Sequence, residues 1–370
     1  MKVMTIVGTR PEIIRLSRVI SRLDTTVDHV LVHTGQNYDY ELNGIFFDEL
    51  GIRKPDEFLE VDTSSLGRVL GETLIRSEEV LLKHRPDAVL VLGDTNSCIA
   101  AVMAKRMRIP VYHMEAGNRC FDENVPEETN RRLVDHVADF NLVYTEHARR
   151  NLLAEGLHPR RILKTGSPMR EVLMHHAAQF EDSDVLARMG LGTGDYLLVS
   201  AHREENVDAP ARLEALLDCL IAARDTFGKK VLVSTHPRTR NRLDDLGREL
   251  PGGITFHKPL GFIDYVRLQQ DAFCTLSDSG TISEESSILG FPAVTLRDSI
   301  ERPEALDTGA IMMTGLSPKN VVSAVRIAVE GGVDEQRLPD DYAISNCSER
   351  AVRFIVSTAE RHAQWAGLRT

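Results

Sequence analysis

The sequence predicts an α/β protein of two domains, each built around a parallel sheet. Short runs of Val, Ile and Leu recur along the chain and alternate with segments of helical periodicity. The runs lack polar alternation, which is typical of parallel strands that helices cover on both faces. The length of 370 residues favours two domains of ordinary size, each with its own core.

The apolar runs are predicted as strands, in order along the chain. Those of the first half are VMTIVG, HVLVHTG, DAVLVLGD, PVYHMEAG and FNLVYTE. Those of the second half are YLLVSAHR, KVLVSTHP, FCTLSDSG and PAVTLRD. Several end in Gly, Asp, His or Glu, which places polar groups at the carboxyl ends of the strands, where open α/β sheets bind ligands.

The boundary between the halves is predicted near Gly166-Ser167-Pro168, which is followed by a helical stretch and the acidic residues 181–184. We therefore expect an N-terminal domain at residues 1–170 and a second domain at residues 171–347. Residues 348–370 carry apolar side chains at helical spacing and are predicted to form a helix that packs back across the N-terminal domain.

The net charge and the cysteines indicate which classes of partner to exclude and which cellular compartment to expect. The net charge of −11 argues against nucleic acid and an anionic membrane as partners. The five cysteines are scattered without C-x-x-C spacing, so neither a disulfide framework nor a zinc site is predicted, and a reducing cytoplasm is expected. The amino terminus enters a strand without a targeting segment, and no apolar run approaches the ~20 residues that span a bilayer.

The segment DSGTISEE joins a buried strand to a helix and predicts a nucleotide site. Free backbone N–H groups at the helix start, the hydroxyls of Ser279 and Thr281 and the small Gly280 favour binding of an anion. One turn further on, Glu284 and Glu285 lie within reach of the hydroxyls of a sugar attached to that anion. Phosphate at the turn and ribose on a carboxylate together indicate a nucleotide.

The first strand leads into Gly-Thr-Arg-Pro-Glu, with Arg10 at the start of the first helix. Pro11 suits a first helical position because of its fixed φ and missing donor. An ordinary strand-to-helix turn is the alternative for this segment, and a solvated helix charge is the alternative for Arg15 one turn on. The segment is neither a Walker loop nor G-x-G-x-x-G, so the ATP and NAD signatures are both absent.

Three carboxylates at strand or loop ends of the first half are candidates for acid/base chemistry. Asp94 follows a strand, and a helix cap is its alternative role. Glu115 also leaves a strand, with a structural salt bridge to Arg119 or Arg131 as the alternative. Glu127 and the glutamate after it lie in a first helical turn, where the helix dipole alone explains an acidic residue.

Cationic candidates for contact with a diphosphate lie in the second half. His202 and Arg203 end the first strand of that half, and His236 is either a further contact or a loop residue. Arg302 is a better candidate for nucleotide contact than Arg297. The remaining histidines and the methionines show no metal-ligand spacing.

Ten motifs along nearly the whole chain carry a family resemblance. They are GTRPEIIR, LGDTNS, EAGNR, PEETNR, TGSP, SAHREEN, STHPR, SDSGTISEE, GFP and RDSIERPEA. In identity and order they resemble those of the non-hydrolysing UDP-N-acetylglucosamine 2-epimerases. The resemblance implies two Rossmann-like domains with parallel sheets that face each other across a cleft, as in GT-B glycosyltransferases. It also implies a UDP-sugar substrate and a homodimer.

The resemblance assigns roles by motif. Asp94, Glu115 and Glu127 match the family's catalytic carboxylates, carried by the N-terminal domain, and His202 joins the catalytic set near the phosphates. The residues expected to bind UDP are Arg10, Arg15, His202, Tyr265, Ser279, Gly280, Thr281, Glu285 and Arg302.

Departures from the family pattern indicate a branch within it. Most members have Lys where Arg15 stands and Gly where Thr281 stands. The family's Gln-His-Arg-Glu segment, which binds an allosteric second UDP-sugar in bacterial members, is replaced at residues 36–39, so activation of that kind is not expected. The pattern resembles the branch that makes UDP-N-acetyl-L-fucosamine from UDP-2-acetamido-2,6-dideoxy-L-talose for surface polysaccharides. Interconversion of UDP-GlcNAc and UDP-ManNAc is the alternative.

The expected reaction is elimination and readdition of UDP. A C2 proton beside an acetamido group lacks an adjacent carbonyl, and loss of UDP from C1 acidifies it. The product is a 2-acetamidoglycal, which takes UDP back with a proton delivered to the opposite face of C2. This course needs no nicotinamide, and neither a cofactor nor a metal is expected. A retaining glycosyltransferase of the GT-B type, a hydrolysing epimerase and a non-catalytic UDP-sugar sensor are the rival functions.

Overall fold

The computed structural model describes residues 1–35, 45–235, 237–249, 251–331 and 338–368. The chain forms two compact units: the first unit comprises Met1–Met174 and Ala343–Thr370, and the second unit comprises His175–Tyr342. The domain limits at 170/171 and 347/348 stay predictions. Residues 36–39 and His236, which the sequence singled out, lie outside the described residues.

The strands are short and mostly buried. Within the described ranges they are β1 (Lys2–Val7), β2 (Asp28–His33), β3 (Glu57–Phe58), β4 (Ala88–Leu92), β5 (Val111–Met114), β6 (Phe140–Val143), β7 (Ile162–Lys164), β8 (Tyr196–Ser200), β9 (Lys230–Ser234), β10 (Ile254–His257), β11 (Cys274–Ser277), β12 (Ala293–Thr295) and β13 (Met312–Met313). The central strands β1, β4, β5, β8 and β11 are buried along almost their whole length, as their apolar runs predict.

Helices connect the strands. Within the described ranges they are α1 (Arg10–Thr26), α2 (Ile45–Glu49), α3 (Leu66–His84), α4 (Ala100–Arg106), α5 (Glu127–Val137), α6 (Glu146–Ala154), α7 (Met169–His175), α8 (Ala177–Asp182), α9 (Val185–Met189), α10 (Glu204–Val207), α11 (Pro210–Phe227), α12 (Pro237–Leu246), α13 (Phe262–Asp271), α14 (Ile282–Leu289), α15 (Glu304–Asp307), α16 (Pro318–Glu330), α17 (Cys347–Thr358) and α18 (His362–Trp365). Over the same ranges, no helix combines the length and the apolar character that crossing a membrane requires.

Each unit contains a parallel sheet. Over the described residues, the sheet of the first unit has seven strands in the order β3-β2-β1-β4-β5-β6-β7. The sheet of the second unit has six described strands in the order β10-β9-β8-β11-β12-β13. The prediction of an α/β chain with two parallel sheets is confirmed.

The chain after Tyr342 returns to the first unit, where α17 packs against α1. The hydroxyls of Thr358 on α17 and Tyr112 on β5 lie 2.7 Å apart. Phe354 lies edge-on to Phe140 of β6, with ring centroids 5.3 Å apart. Trp365 of α18 also meets Phe140, at 6.3 Å. These contacts cover two aromatic side chains of the first sheet, both of which are buried.

Candidate functional site

Each sheet reverses its strand order at one point, and the predicted residues Arg10, Asp94, His202 and Ser279 follow the strands that flank it. In the first unit β1 separates β2 from β4, and in the second unit β8 separates β9 from β11. The two connections leaving such a point turn to opposite faces of the sheet, which opens a crevice at the carboxyl ends of the strands. The sequence places the turns after β1, β4, β8 and β11 at these ends.

Glu115, directly after β5, has a strained backbone. Its φ of +64° lies in the left-handed region, which is costly for a residue with a Cβ. Its buried carboxylate forms an ion pair with Arg15 of α1. A Cβ placed on Gly93 would lie 3.6 Å from Glu115 Oε2, so the carboxylate rests against the turn that follows β4. Strain held in place by surrounding contacts is a feature of functional sites.

The predicted alternatives for Glu115 involved other arginines. Arg119 pairs instead with Asp135 at 2.7 Å and with Glu155 at 2.7 Å. Arg15, predicted for UDP binding, forms the ion pair with Glu115, and Asn118 Nδ2 also donates to Glu115 at 3.4 Å. Arg15 and Glu115 are separated by 100 positions in the chain, so their pairing depends on the tertiary fold.

Asp94, after β4, shares an arginine with Glu128. Arg131 Nε donates to Asp94 Oδ2 at 2.6 Å, and Nη1 donates to Glu128 Oε2 at 2.9 Å. Burial opposes ionisation of Glu128, but hydrogen bonds from the backbone and thiol of Cys120 and from Arg131 outweigh it and lower the pKa of Glu128. The alternative role of Asp94 as a helix cap is wrong, because Thr95 occupies the cap position of the 3₁₀ turn that follows.

Glu127 and Arg10 both occupy the first position of a helix. Glu127 begins α5 and is half-buried, whereas its neighbour Glu128 is the buried member of the ion-pair network. Arg10 begins α1, with its guanidinium carbon 5.3 Å from the ring centroid of Phe46. The sequence places both glutamates in one helical turn and favours Glu127 for catalysis. In the structure the two differ, because Glu128 is buried among its ion-pair partners and Glu127 is only half-buried.

Glu12 joins the turns after β1 and β4 and was not singled out by the sequence. Its Oε2 accepts hydrogen bonds from the backbone of Gly8 at 2.9 Å and of Thr9 at 2.7 Å. Its other oxygen accepts from Ser97, in the turn after Asp94. Burial raises the pKa of Glu12, although these hydrogen bonds oppose the rise. The spacing Thr9-x-x-Glu12 is a capping-box signal that would have identified it.

In the second unit, Asp278 joins the turns after β8 and β11. The carboxylate is fully buried and accepts from the backbone N–H of His202 at 3.0 Å and of Arg203 at 3.0 Å. Asn206 also donates to it, at 3.1 Å. The His202 ring is about half exposed, at 45%. Asp278 thus fixes the backbone of His202 while leaving its side chain accessible.

The Ser279-Gly280-Thr281 turn is closely packed. The hydroxyls of Ser279 and Thr281 lie 2.9 Å apart, and α14 begins at Ile282. A Cβ on Gly280 would lie 2.4 Å from Arg302 Nη1 and 2.4 Å from Glu301 Oε1. This turn therefore accommodates only glycine at its centre without displacing a buried ion pair.

Arg302 is held under this turn by two carboxylates. Its Nε lies 3.1 Å from Glu284 Oε2, and its Nη1 lies 2.9 Å from Glu301 Oε1. All three side chains are buried. Glu301 also pairs with Arg297. The sequence offered Glu284 for sugar hydroxyls; its burial and its arginine partner make it a support for Arg302 instead.

Glu285, one residue further, has a different set of neighbours. Gln269 Nε2 of α13 donates to Glu285 Oε2 at 2.7 Å. Burial raises the pKa of Tyr265 on the same helix, and the charge of Glu285 adds to the rise, while a hydrogen bond with Ser200 opposes it. A carboxylate accepts hydrogen bonds at both oxygens, so the contact with Gln269 is compatible with contacts to the hydroxyls of a ligand.

Within each unit the structure therefore brings predicted residues together. In the first unit these are Arg15, Asp94 and Glu115. In the second unit they are Tyr265, Ser279, Gly280, Thr281, Glu285 and Arg302. Among the described residues, no group of three His, Cys, Asp or Glu side chains is arranged to hold a metal ion. Paired carboxylates suit proton transfer, and the hydroxyl-rich turn with a buried arginine suits an anion.

Comparison with known proteins identifies similar sequences. The family model described as UDP-N-acetylglucosamine 2-epimerase matches residues 21–356. The UDP-N-acetylglucosamine 2-epimerase of Methanocaldococcus jannaschii is 36% identical over 364 residues, covering 96% of this chain and 99% of the relative. A Pseudomonas aeruginosa UDP-2,3-diacetamido-2,3-dideoxy-D-glucuronate 2-epimerase is 35% identical, covering 89% of this chain and 92% of the relative.

Solved structures are similar over the whole chain. The Rickettsia bellii UDP-N-acetylglucosamine 2-epimerase has a TM-score of 0.92 at 45% identity, covering 100% of both chains. The M. jannaschii enzyme in complex with UDP-GlcNAc and UDP has a TM-score of 0.90 at 35% identity, covering 96% of this chain and 100% of that one. Acinetobacter baumannii MurG, at 13% identity and a TM-score of 0.51 over 96% of this chain and 99% of that one, shares the fold alone, which is GT-B-like.

Proposed function

The chain belongs to the non-hydrolysing UDP-N-acetylglucosamine 2-epimerase family of isomerases, and we propose that it interconverts UDP-GlcNAc and UDP-ManNAc by inverting C2. The observation that carries this proposal is the placement of Asp94 and Glu115 after the adjacent strands β4 and β5, each beside an arginine. An epimerase that moves a proton on and off one carbon needs acid/base groups near each other.

The nucleotide is assigned to the second unit. The hydroxyls of Ser279 and Thr281, at the start of α14, would bind the diphosphate, with Gly280 giving close approach. The backbone N–H groups of Ser279 and Thr281, expected from the sequence to be free, donate to the hydroxyls of Ser277 and Ser279. Arg302 would stabilise the charge that develops on UDP as it leaves. Glu285 would accept hydrogen bonds from the ribose, with Tyr265 beside it. His202 would donate to the phosphates from its half-exposed ring.

Arg10 and Arg15 were also expected to bind UDP. Arg10, at the start of α1 with its guanidinium over the ring of Phe46, is proposed to contact the nucleotide from that position. Arg15 is proposed to act on the reaction chiefly through its ion pair with Glu115. A charge-assisted hydrogen bond from an arginine fixes the orientation of the carboxylate that it contacts.

The chemistry proposed is an elimination followed by its reverse. A carboxylate takes the C2 proton, the C1–O bond breaks with its electron pair leaving on UDP, and a C1=C2 double bond forms. UDP then attacks C1 while a proton is delivered to the other face of C2. Asp94, Glu115 and Glu127 are proposed to share these transfers, with His202 stabilising UDP. No nicotinamide takes part in this scheme.

The comparisons favour UDP-GlcNAc as the sugar nucleotide. The M. jannaschii and R. bellii proteins are UDP-GlcNAc 2-epimerases, and the P. aeruginosa protein acts on another UDP-2-acetamido sugar. These names support the alternative drawn from the sequence better than its first choice, the L-talose branch. The L-talose branch stays a prediction, and the NMR experiment described next tests it as well.

Proton NMR of each UDP-sugar incubated with the protein in deuterated water tests the proposal. UDP-GlcNAc alone is expected to yield UDP-ManNAc with deuterium at C2. A glycosyltransferase would leave it unchanged without an acceptor, and a hydrolysing epimerase would release free amino sugar; either result would overturn the proposal. A parallel incubation with UDP-2-acetamido-2,6-dideoxy-L-talose shows which of the two UDP-sugars the protein epimerises.

A further inference from the structure

The ring of His113, on β5 two residues before Glu115, contacts an acceptor at each nitrogen. Its Nε2 lies 2.7 Å from the carbonyl oxygen of Gly93, and its Nδ1 lies 2.9 Å from Asp135 Oδ1. His113 and Asp135 are both fully buried. The ring therefore joins the end of β4 to helix α5 beneath the turns that carry Asp94 and Glu115.

Hydrogen bonding fixes the protons of this pair. A carbonyl oxygen only accepts, so Nε2 of His113 carries a proton. Asp135 also accepts from Gly117 N–H at 3.1 Å and from Arg119 Nη1 at 2.7 Å. Two lone pairs would face each other at Nδ1 unless a proton lies between this nitrogen and Asp135 Oδ1. The ring is therefore hydrogen-bonded at both nitrogens, to a carbonyl at one end and to a carboxyl group at the other.

Three residues in the turns at the two ends of this pair have a positive φ, which is a costly backbone conformation for most residues. Gly93 has a φ of +68°, Glu115 of +64° and Gly117 of +80°. A Cβ on Gly117 would also lie 2.4 Å from the carbonyl oxygen of Ala148, so this turn has little space to move. Backbone in such conformations persists only where its surroundings hold it.

We propose that His113 and Asp135 are positioning residues for the epimerisation. The His113 ring holds the Gly93–Asp94 turn through the Gly93 carbonyl, and the Asp135 side chain holds the Glu115–Gly117 turn through the Gly117 N–H. Together they set the separation of the Asp94 and Glu115 carboxylates. This inference rests on the proposed function, because it takes those two carboxylates as the acid/base groups.

The His113→Gln variant tests the positioning role. Its kcat for UDP-GlcNAc is expected to fall about 100-fold, because small displacements of reacting groups cost that much, while KM and the Kd for UDP stay at their wild-type values. His136→Gln is the matched control: this half-exposed histidine contacts Glu155 at the outer end of the same network. Its kcat is expected to stay within about twofold of wild type.

Both kcat values are expressed per UDP-binding site, so a loss of folded protein does not count as a loss of catalysis. A His113→Gln variant with wild-type kcat would overturn the positioning role. So would a fall in kcat matched by an equal fall for His136→Gln.

The proton assignment has its own test in the wild-type protein. In protein labelled with ¹⁵N-histidine, the signal of His113 is identified by its loss in His113→Gln. Nε2 is expected at the shift of a protonated ring nitrogen, because it donates to the Gly93 carbonyl. Nε2 at the shift of an unprotonated ring nitrogen would overturn the pair. If the wild type fails to epimerise, the proposed function fails, and the nitrogen shifts still decide the pair.

Discussion

Arg131 donates a hydrogen bond from Nε to Asp94 Oδ2 at 2.6 Å, and this contact ties the carboxylate after β4 to helix α5. The same guanidinium reaches Glu128 from Nη1 at 2.9 Å. A planar guanidinium serves two carboxylates at a fixed angle, which the ammonium of lysine does not reproduce. Arg131 therefore sets the direction in which Asp94 faces.

The Arg131→Lys variant is expected to lose about 100-fold in kcat, because Asp94 is no longer aligned with C2 of the sugar. Binding of UDP, assigned to the second unit, should be unchanged. Steady-state rates with UDP-GlcNAc and calorimetric titration with UDP measure the two effects. Arg132→Lys is the control, since Arg132 is about half exposed and reaches Glu128 only at 3.3 Å. Equal losses in both variants would contradict the alignment role.

The Glu115→Gln variant is expected to abolish exchange of the C2 proton with solvent deuterium. An amide preserves the shape of the side chain, but it does not accept the proton. NMR of UDP-GlcNAc in deuterated water measures the exchange, and titration with UDP shows whether binding is preserved. Wild-type exchange in this variant would remove Glu115 from the mechanism.

The Gly280→Ala variant is expected to weaken UDP binding about tenfold, because crowding in a packed region costs ~1.4 kcal/mol. The added Cβ would lie 2.4 Å from both Arg302 Nη1 and Glu301 Oε1. Gly252→Ala is the matched control in the same unit, since a Cβ there meets no atom within 4 Å. An unchanged Kd for UDP in Gly280→Ala would place the diphosphate elsewhere.

His33 predicts a pH dependence of stability. Burial lowers the pKa of His33 from its ordinary 6.5 to about 4. The unfolded chain then binds the proton more tightly than the folded chain. The contribution of His33 to the free energy of unfolding is thus complete above pH ~6.5 and falls by ~1.4 kcal/mol per pH unit down to pH ~4.

Urea denaturation of the wild type and of His33→Phe between pH 6 and pH 4.5 measures this contribution. The wild type should lose free energy of unfolding relative to His33→Phe with that slope as the pH falls. His158→Gln is the control, because His158 is exposed. Parallel curves for the wild type and His33→Phe would show that the ring is protonated equally in the folded and unfolded states.

The central strands were predictable and the edge strands were not. β1, β4, β5, β8 and β11 are apolar along their length because helices cover both faces. The sequence missed β3, β7, β10 and β13, which are the outermost strands of the two sheets. They have only two to four residues each, and within the described part of the chain one side of each has no neighbouring strand. β12 is equally short but buried throughout, whereas these four strands are partly exposed and lack the continuous buried run on which the prediction depends.

In the candidate site, too, some features were predictable from the sequence and others were not. Residues at strand ends, such as Asp94 and Glu115, were identified because polar groups after buried strands are conspicuous. Their partners Arg131 and Arg15 lie 37 and 100 positions away, and sequence alone does not show which arginine meets which carboxylate. The predicted roles of these residues stay predictions.

The return of residues 343–370 to the first unit has a consequence for protein synthesis. Domains generally form as the ribosome releases them, amino-terminal part first. Here the amino-terminal part lacks the cover of Tyr112 and Phe140 until the last helices emerge. The ribosome releases the whole second unit before the first unit can form all of its contacts. A nascent chain stalled before α17 would present those aromatic rings to chaperones.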